Sequence, residues 1–371
     1  MKYDYLIVGS GLFGSTFAYL ANKDGKRCLV IDKRKQFGGN IWCQEKDGIT
    51  IHKFGCHIFH TSNRNTWDFV NKFVEFTPFV FSPIANYNGG LYNLPFNMNT
   101  FIQMWNDIHT PQDAMLRIKE QSGRYETPKN LEEQAINLVG KDVYERLIKG
   151  YTEKQWGRPC CELPASIIKR LPVRFTFNNN YFNDIYQGIP NLGYNALING
   201  LLKGIETHTE TDFLNDKDYF LSIADKIIYT GSIDELFLYE LGELEYRTVK
   251  FVEEEFETSN YQGCPVMYFT SSHVPYTRII EHKHFDRWCR NEATTIISHE
   301  FSEQWKRGIE PYYPIGNEEN IALHKEYIEL SHQIYGEKII FGGRLGNYKY
   351  YDMDDAIESA IELYNKTNNK S

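Results

Sequence analysis

The chain lacks the marks of several large protein classes. Its seven cysteines, Cys28, Cys43, Cys56, Cys160, Cys161, Cys264 and Cys289, are odd in number and include no CxxC pair, so neither a zinc ribbon nor a disulfide framework is indicated. From Met1 the sequence passes straight into a strand-like segment, without a basic leader, a long apolar stretch or a cleavage signature. Positive charge is in short supply: 40 Lys and Arg face 49 Asp and Glu, a net charge of −9, which argues against a general nucleic-acid or anionic-membrane binder. No internal repeat is visible, and the one low-complexity stretch is the polar tail 365–371, expected to fray. Together these absences predict a cytoplasmic protein with no transmembrane segment and no nucleic-acid partner.

What the chain does have is a βαβ opening with more glycine than a simple turn needs. Tyr3 to Val8 predicts a buried strand, Gly9-Ser10-Gly11-Leu12-Phe13-Gly14 carries GxGxxG spacing, and Ser15 to Asn22 has helix-compatible apolar residues. Lys26 to Asp32 predicts a second strand ending on an acid, where a ribose hydroxyl needs an acceptor. In such a unit Gly9 makes the turn, Gly11 lets backbone N–H groups approach a pyrophosphate, and Gly14 lets the helix pack on the strand. The Gly38-Gly39-Asn40 that follows is a second glycine pair that a protein binding only NAD would not require, and 371 residues can bury a flavin.

Beyond this unit, residues 100–151 predict a helical insertion, with Thr110-Pro111 and Thr127-Pro128 as helix starts and an amphipathic run from Asn130 broken near Gly140. Residues 171–186 and 244–298 contain strand-like runs. Residues 224–231 and 338–343 predict strands returning to the nucleotide-binding sheet, and 352–364 a closing helix. The dinucleotide domain is therefore discontinuous in sequence.

Several clusters carry chemistry. His57 and His60 in GCHIFHT are spaced to share a helix face around a metal, to flank a cofactor ring, or to be ordinary loop histidines; no supporting ligand accompanies them, so no metal site is assigned. Tyr151, Lys154, Gln155 and Trp156 in GYTEKQWG suit a nucleobase, or else Tyr151 and Trp156 anchor the helical insertion, and 157–166 reads as a lid loop. KRLPVR supplies Arg170 and Arg174 and PYTR supplies Arg278; two of these arginines could clamp a diphosphate bidentately, or each could pair with a structural carboxylate. The tyrosines of PYYP and GRLGNYKYYDMD lie beside strand ends, and the second segment opens a helix whose N–H groups could face a bound ring.

Taken together, GSGLFG, GGN, GCHIFHT, YTEKQWG, RLPVRF, YQGIP, PYTRIIEHKHF, EPYYP and GRLGNYKYYDMD resemble the bacterial UDP-galactopyranose mutases over nearly the full length. The resemblance implies an α/β fold with α+β insertions: an FAD-binding Rossmann-like domain (1–80, 188–243 and 315–371), a helical domain (97–170) with a mobile loop at about 157–170, and an antiparallel β-sheet domain (81–96, 171–187 and 244–314). It also implies a homodimeric isomerase, an intramolecular transferase that interconverts UDP-galactopyranose and UDP-galactofuranose for cell-surface polysaccharide. In that family N5 of reduced FAD forms a covalent adduct with C1 of the sugar, without net redox.

Carried over by position, Arg170 and Arg278 hold the diphosphate, Tyr151 stacks on uracil, and Trp156 borders the site. Tyr181, Tyr312 or Tyr313, and Tyr350 are the tyrosines on the diphosphate. Gly9, Gly11, Phe13, Gly14, Asp32, Gly39 and Asn40 bind the cofactor, with His57, His60, Arg344, Asp352 and Met353 around the flavin. Two departures bear on sugar specificity, including tolerance of UDP-N-acetylgalactopyranose: Phe81 stands where many relatives have asparagine, and Cys56 replaces the proline of GPHIFHT. The alternatives are a flavin amine oxidase-like oxidoreductase, which shares the N-terminal fingerprint, and a flavin-binding sensor without turnover.

Overall fold

Tyr5, Leu6 and Ile7 are all buried, but they feed two different cores, because successive residues of a strand face opposite sides of a sheet. Leu6 packs with Leu29, Ile31 and Ile227 beneath Phe213, Phe220 and Tyr327. Tyr5 and Ile7 pack with Val30 and Ile228 beneath Phe17, Ala21, Tyr194 and Ile357. Strands covered on both faces suit a parallel sheet. In the computed structural model, which describes every residue except 1, 169–171, 192, 287, 288, 290 and 369–371, five parallel strands lie in the order Glu206–His208, Cys28–Ile31, Tyr3–Val8, Ala224–Tyr229, Ile339–Phe341. The helix Leu12–Lys23 follows Gly11 and packs against Met353–Thr367 and Gly193–Leu201.

A seven-stranded sheet runs Tyr313–Pro314, Tyr246–Phe256, Thr295–Gln304, Arg278–Glu281, Val266–Phe269, Ile84–Tyr87, Gly90–Asn93. It is antiparallel except where Val266–Phe269 meets Ile84–Tyr87, which run parallel, so the sheet is mixed rather than purely antiparallel. A small three-stranded sheet sets Phe59–Thr61 and Phe76–Pro78 on either side of Tyr186–Pro190.

The helical segment contains Met98–Met104, Pro111–Gln121, Leu131–Val139 and Gly150–Trp156. Thr110 caps the second as expected, in a capping box with Asp113. Thr127-Pro128 does not start a helix: Asn130, directly before the apolar run, accepts from Glu133 N at 3.0 Å and takes the cap. Gly140, at φ 80°, breaks the run, and Tyr144–Lys149 widens into a π turn before Gly150.

Residues 172–185 do not form the expected strand. Apart from a bridge between Val173 and Phe96, this stretch turns on local side-chain contacts, such as Asn180 N to Asn178 Oδ1 at 2.9 Å and Arg174 to the Asn180 carbonyl. Among the described residues no helix is long and apolar enough to cross a membrane, and all seven cysteines are free.

Candidate active site

The dinucleotide end is built from missing side chains. At Gly9, where φ is +103°, a Cβ would stand 2.1 Å from Thr230 Oγ1; at Gly14 it would stand 2.1 Å from the Gly9 carbonyl oxygen. At Gly11 it would meet no protein atom within 4 Å. Gly9 and Gly14 thus close the turn, while Gly11 leaves its backbone bare toward open space.

The second glycine pair lies on the first. A Cβ at Gly39 would come within 3.0 Å of Gly11 Cα, and Ser10 binds the two segments together. The Ser10 N–H donates to Asp32 Oδ2 at 2.9 Å, its hydroxyl donates to the same oxygen, and the Gly38 N–H donates to Ser10 Oγ at 3.2 Å. Asp32 Oδ1 accepts from Arg34 N at 2.9 Å, so the turn fixes this carboxylate before any ribose reaches it. Phe13 packs its ring into the surface bared by Gly342, where a Cβ would lie 2.2 Å from Phe13 Cε1.

Among the described residues two buried polar atoms nearby have no hydrogen-bond partner. Arg34 donates through Nη2 to Asn40 Oδ1 at 3.0 Å and pairs with Glu310 at 3.3 Å, yet its Nη1 is unsatisfied, as is the hydroxyl of Tyr312. Arg34 and Tyr312 line a cavity of about 330 Å³ with Phe54 and Phe251. A buried donor left unpaired costs roughly 1–3 kcal/mol, which a polar ligand would recover. The bare backbone at Gly11, the glycine pair against it and the orphaned guanidinium nitrogen fit FAD.

The second centre is Arg278, which opens its strand opposite Glu300 in antiparallel register. Its Nε lies 2.9 and 3.0 Å from the two carboxylate oxygens, and Nη2 completes the pair. Thr277 Oγ1 donates to Glu300 Oε1 at 2.8 Å and holds that carboxylate in turn. Among the described residues Nη1 meets only Tyr268 Oη at 3.5 Å and Cys56 Sγ at 3.7 Å, which leaves this end of the guanidinium with donor capacity for an anion.

The rings of Tyr268 and Tyr151 are 5.3 Å apart. Burial raises the hydroxyl pKa of Tyr151, Tyr181 and Tyr268, and in each case the Arg278 charge opposes that rise; one guanidinium therefore reaches all three phenols. Trp156 contacts Tyr313 at 6.0 Å, Tyr313 contacts Tyr350 at 6.3 Å, and the Arg344 guanidinium lies 4.9 Å over the Tyr350 ring. Arg344 also donates to the Tyr351 carbonyl at 2.6 Å and the Tyr312 carbonyl at 3.3 Å, tying two loops together. Tyr313 thus joins the tryptophan and Tyr350, whereas Tyr312 turns toward Arg34.

His57 and His60 do not share a helix face: His57 precedes, and His60 lies within, the strand Phe59–Thr61. Burial, then neighbouring His52 and Arg344, lower the His57 pKa to about 3 and keep its ring neutral. His60 hydrogen-bonds Asp184 at 2.8 Å and stacks on Phe182 at 3.8 Å. Among the described residues no group of three His, Cys, Asp or Glu side chains could hold a metal ion. Asp352, whose N–H donates to Asp355 Oδ2 at 3.1 Å, starts the helix Met353–Thr367 and puts Met353 in its first turn.

Arg170 lies outside the described residues. Lys154 does not join Tyr151 and Trp156 as an open ligand group; its ammonium is turned into backbone carbonyls. Ser10 and Glu300 were not singled out from sequence. Ser10 sits inside the GSG motif and could have been, but Glu300 gives no local signal, because only sheet register brings it to Arg278.

A family model described as UDP-galactopyranose mutase matches residues 146–350, and one described as an NAD(P)-binding Rossmann-like domain matches 7–73. The chain is 38% identical to the dTDP-fucopyranose mutase of Escherichia coli, over 98% of each chain. It is also 38% identical to a Klebsiella pneumoniae protein named Probable UDP-galactopyranose mutase, over 96% of this chain and 92% of that one. A crystal structure of reduced UDP-galactopyranose mutase superposes with a TM-score of 0.78 at 14% identity, covering 100% of this chain and 96% of that one. A Putrescine Oxidase double mutant shares the fold more distantly, at a TM-score of 0.57 and 10% identity. With two near full-length relatives at this identity and a model spanning more than half its residues, the chain belongs to the UDP-galactopyranose mutase family.

Proposed function

We propose that this enzyme interconverts the pyranose and furanose forms of a nucleotide-diphosphate sugar, with UDP-galactose as substrate, on reduced FAD. The observation that carries the proposal is Arg278, whose buried partner Glu300 commits one side of the guanidinium while Nη1 lies 3.5 Å from Tyr268 Oη and its charge acts on the Tyr151, Tyr181 and Tyr268 phenols.

Ring contraction breaks the bond between C1 and the diphosphate and the bond between C1 and the ring oxygen, which leaves as the 5-hydroxyl; the 4-hydroxyl gives up its proton and closes on the same carbon, and the diphosphate returns to C1. Bond breaking leaves negative charge on the diphosphate, which Arg278 stabilises from a fixed position. Glu300 prevents that guanidinium from having to reorganise as the charge develops. Arg170 is assigned as the second diphosphate arginine, Tyr151 as the nucleobase platform, and Trp156, Tyr181, Tyr313 and Tyr350 as the walls around the diphosphate and sugar. Tyr312 is assigned to the cofactor side with Arg34. The Gly9, Gly11, Gly14 and Gly39 backbone, with Asp32 and Asn40, holds the dinucleotide, while neutral His57, His60, Arg344 and the helix start at Asp352 and Met353 border its ring. Reduced FAD, when bound, supplies an electron-rich nitrogen nucleophile for the anomeric carbon.

A second reading concerns the sugar. Phe81 is buried between Tyr181, at 5.5 Å, and Phe182, at 5.8 Å, which makes that wall apolar. An apolar wall suits a deoxy sugar, and one relative is named for dTDP-fucopyranose. Prereduced holoenzyme supplied with UDP-galactofuranose, its 2-acetamido analogue and dTDP-fucofuranose separates the readings by their kcat/KM values. Fastest conversion of UDP-galactofuranose supports the first, fastest conversion of the deoxy sugar supports the second, and no conversion of any overturns both. We place the enzyme in the cytoplasm as a homodimer, supported by its free thiols and by the family resemblance. Membership of the two large sheets supports the three-part, discontinuous division of the chain.

A further inference from the structure

The helix Gly150–Trp156 carries Tyr151 and Trp156, and Lys154 and Gly150 fasten it to one turn. Lys154 Nζ lies 2.7 Å from the carbonyl oxygen of Phe269, 3.1 Å from Ser271, 3.0 Å from Val274 and 2.9 Å from Tyr276. An ammonium has three protons, so four acceptors consume its donor capacity and leave none for a ligand. Among the described residues no carboxylate pairs with it. One turn earlier, Gly150 lies flat on the same loop, where a Cβ would stand 2.3 Å from the Thr270 carbonyl oxygen.

That loop leads directly into the diphosphate arginine. Tyr276, which supplies the last carbonyl, is followed by Thr277, whose hydroxyl holds Glu300, and then by Arg278. A continuous set of contacts therefore runs from the Tyr151 helix through Lys154 and the 269–276 turn to the Arg278–Glu300 pair. Each link is short and directional.

We infer that Lys154 is a positioning residue that sets the span between the nucleobase platform and the diphosphate arginine, fixing the length of nucleotide the site accepts. The inference rests on the proposed assignment of Tyr151 to the base and Arg278 to the diphosphate. A ligand touching both subsites depends on that span; a ligand touching one does not.

The test uses flavin-loaded Lys154→Met, which keeps most of the stem and removes the charge. UDP is expected to bind roughly a hundredfold more weakly, the low end of what is lost when two linked subsites can no longer be engaged together. Uridine and inorganic pyrophosphate, each measured alone, are expected to keep the affinities they have for the unaltered holoenzyme. In Lys154→Ala, propylammonium replaces the deleted atoms within the four carbonyls and is expected to restore UDP binding. Unchanged UDP affinity in Lys154→Met overturns the inference, as does equal weakening of all three ligands with loss of flavin. Tyr151→Ala and Arg278→Ala test the underlying assignment separately. If neither weakens UDP, that assignment fails; if both do and Lys154→Met does not, the clamp alone fails.

Discussion

The two ends of the site are made by opposite means. The dinucleotide end depends on atoms that are absent, with glycines at 9, 11, 14 and 39 letting the chain lie against the Thr230 side chain, other backbone or open space. The Arg278 end, to which we assign the diphosphate, depends on atoms that are present, with Arg278, Glu300, Thr277 and Lys154 bound to one another or to carbonyls. One end should therefore be broken by adding a methyl group, and the other by removing a charge.

Gly14→Ala is the harshest addition, because its Cβ would sit 2.1 Å from the Gly9 carbonyl oxygen, a backbone atom that cannot swing aside. Little folded flavoprotein should accumulate, as measured by soluble yield and bound flavin. Gly11→Ala sharpens the contrast: its Cβ meets no protein atom, so the thermal midpoint of the apoprotein should hold while flavin affinity falls. Full flavin retention in Gly11→Ala would show that the pyrophosphate lies elsewhere.

Arg278→Ala is the matching deletion. Breaking a buried charge contact costs about 2–5 kcal/mol, so kcat/KM should drop roughly thirtyfold or more, with flavin content unchanged. Wild-type turnover would refute its role.

The same reliance on charge makes this sheet acid-labile. Glu281 ends the Arg278 strand; its burial favours the neutral form, but His284, the Gln262 and Tyr261 N–H groups and the Thr295 hydroxyl outweigh burial and hold its pKa at about 2. Because the folded value lies below the unfolded 4.5, its contribution is complete above pH 4.5 and is lost as pH falls toward 2. That contribution is about 3 kcal/mol. Urea unfolding followed between those pH values should show a shallower acid loss in Glu281→Gln, and an unchanged slope would remove Glu281 from the account.

The smallest effect expected is at Phe81. Phe81→Asn should shift the kcat/KM ratio toward the hydroxylated sugar by about tenfold, on the scale of one pocket contact. No shift would exclude this wall from sugar selection.

The two means of construction also decide what could be read in advance. Glycines that make a turn must stand at fixed spacing, so GSGLFG announced the βαβ opening and the backbone role of Gly11, while the apolar runs at 224–231 and 338–343 announced the strands that return to the parallel sheet. Arg278 was legible as a motif residue, but Glu300 lies 22 positions away, and only strand register reveals the pair. Lys154 was misassigned for the same reason, since its nearest carbonyl is 115 residues distant. Residues 172–185 were misread because asparagines satisfy the backbone locally, a competition that apolar patterning does not display.

The central claim is that the bond from C1 to the diphosphate breaks while Arg278 holds the nucleotide. UDP-galactopyranose carrying oxygen-18 in that bridging position tests it directly. During turnover by the prereduced holoenzyme the label should scramble into the non-bridging positions of the β-phosphate, and with oxidised enzyme it should stay in the bridge. Furanose formed with the label wholly retained in the bridge would contradict the account.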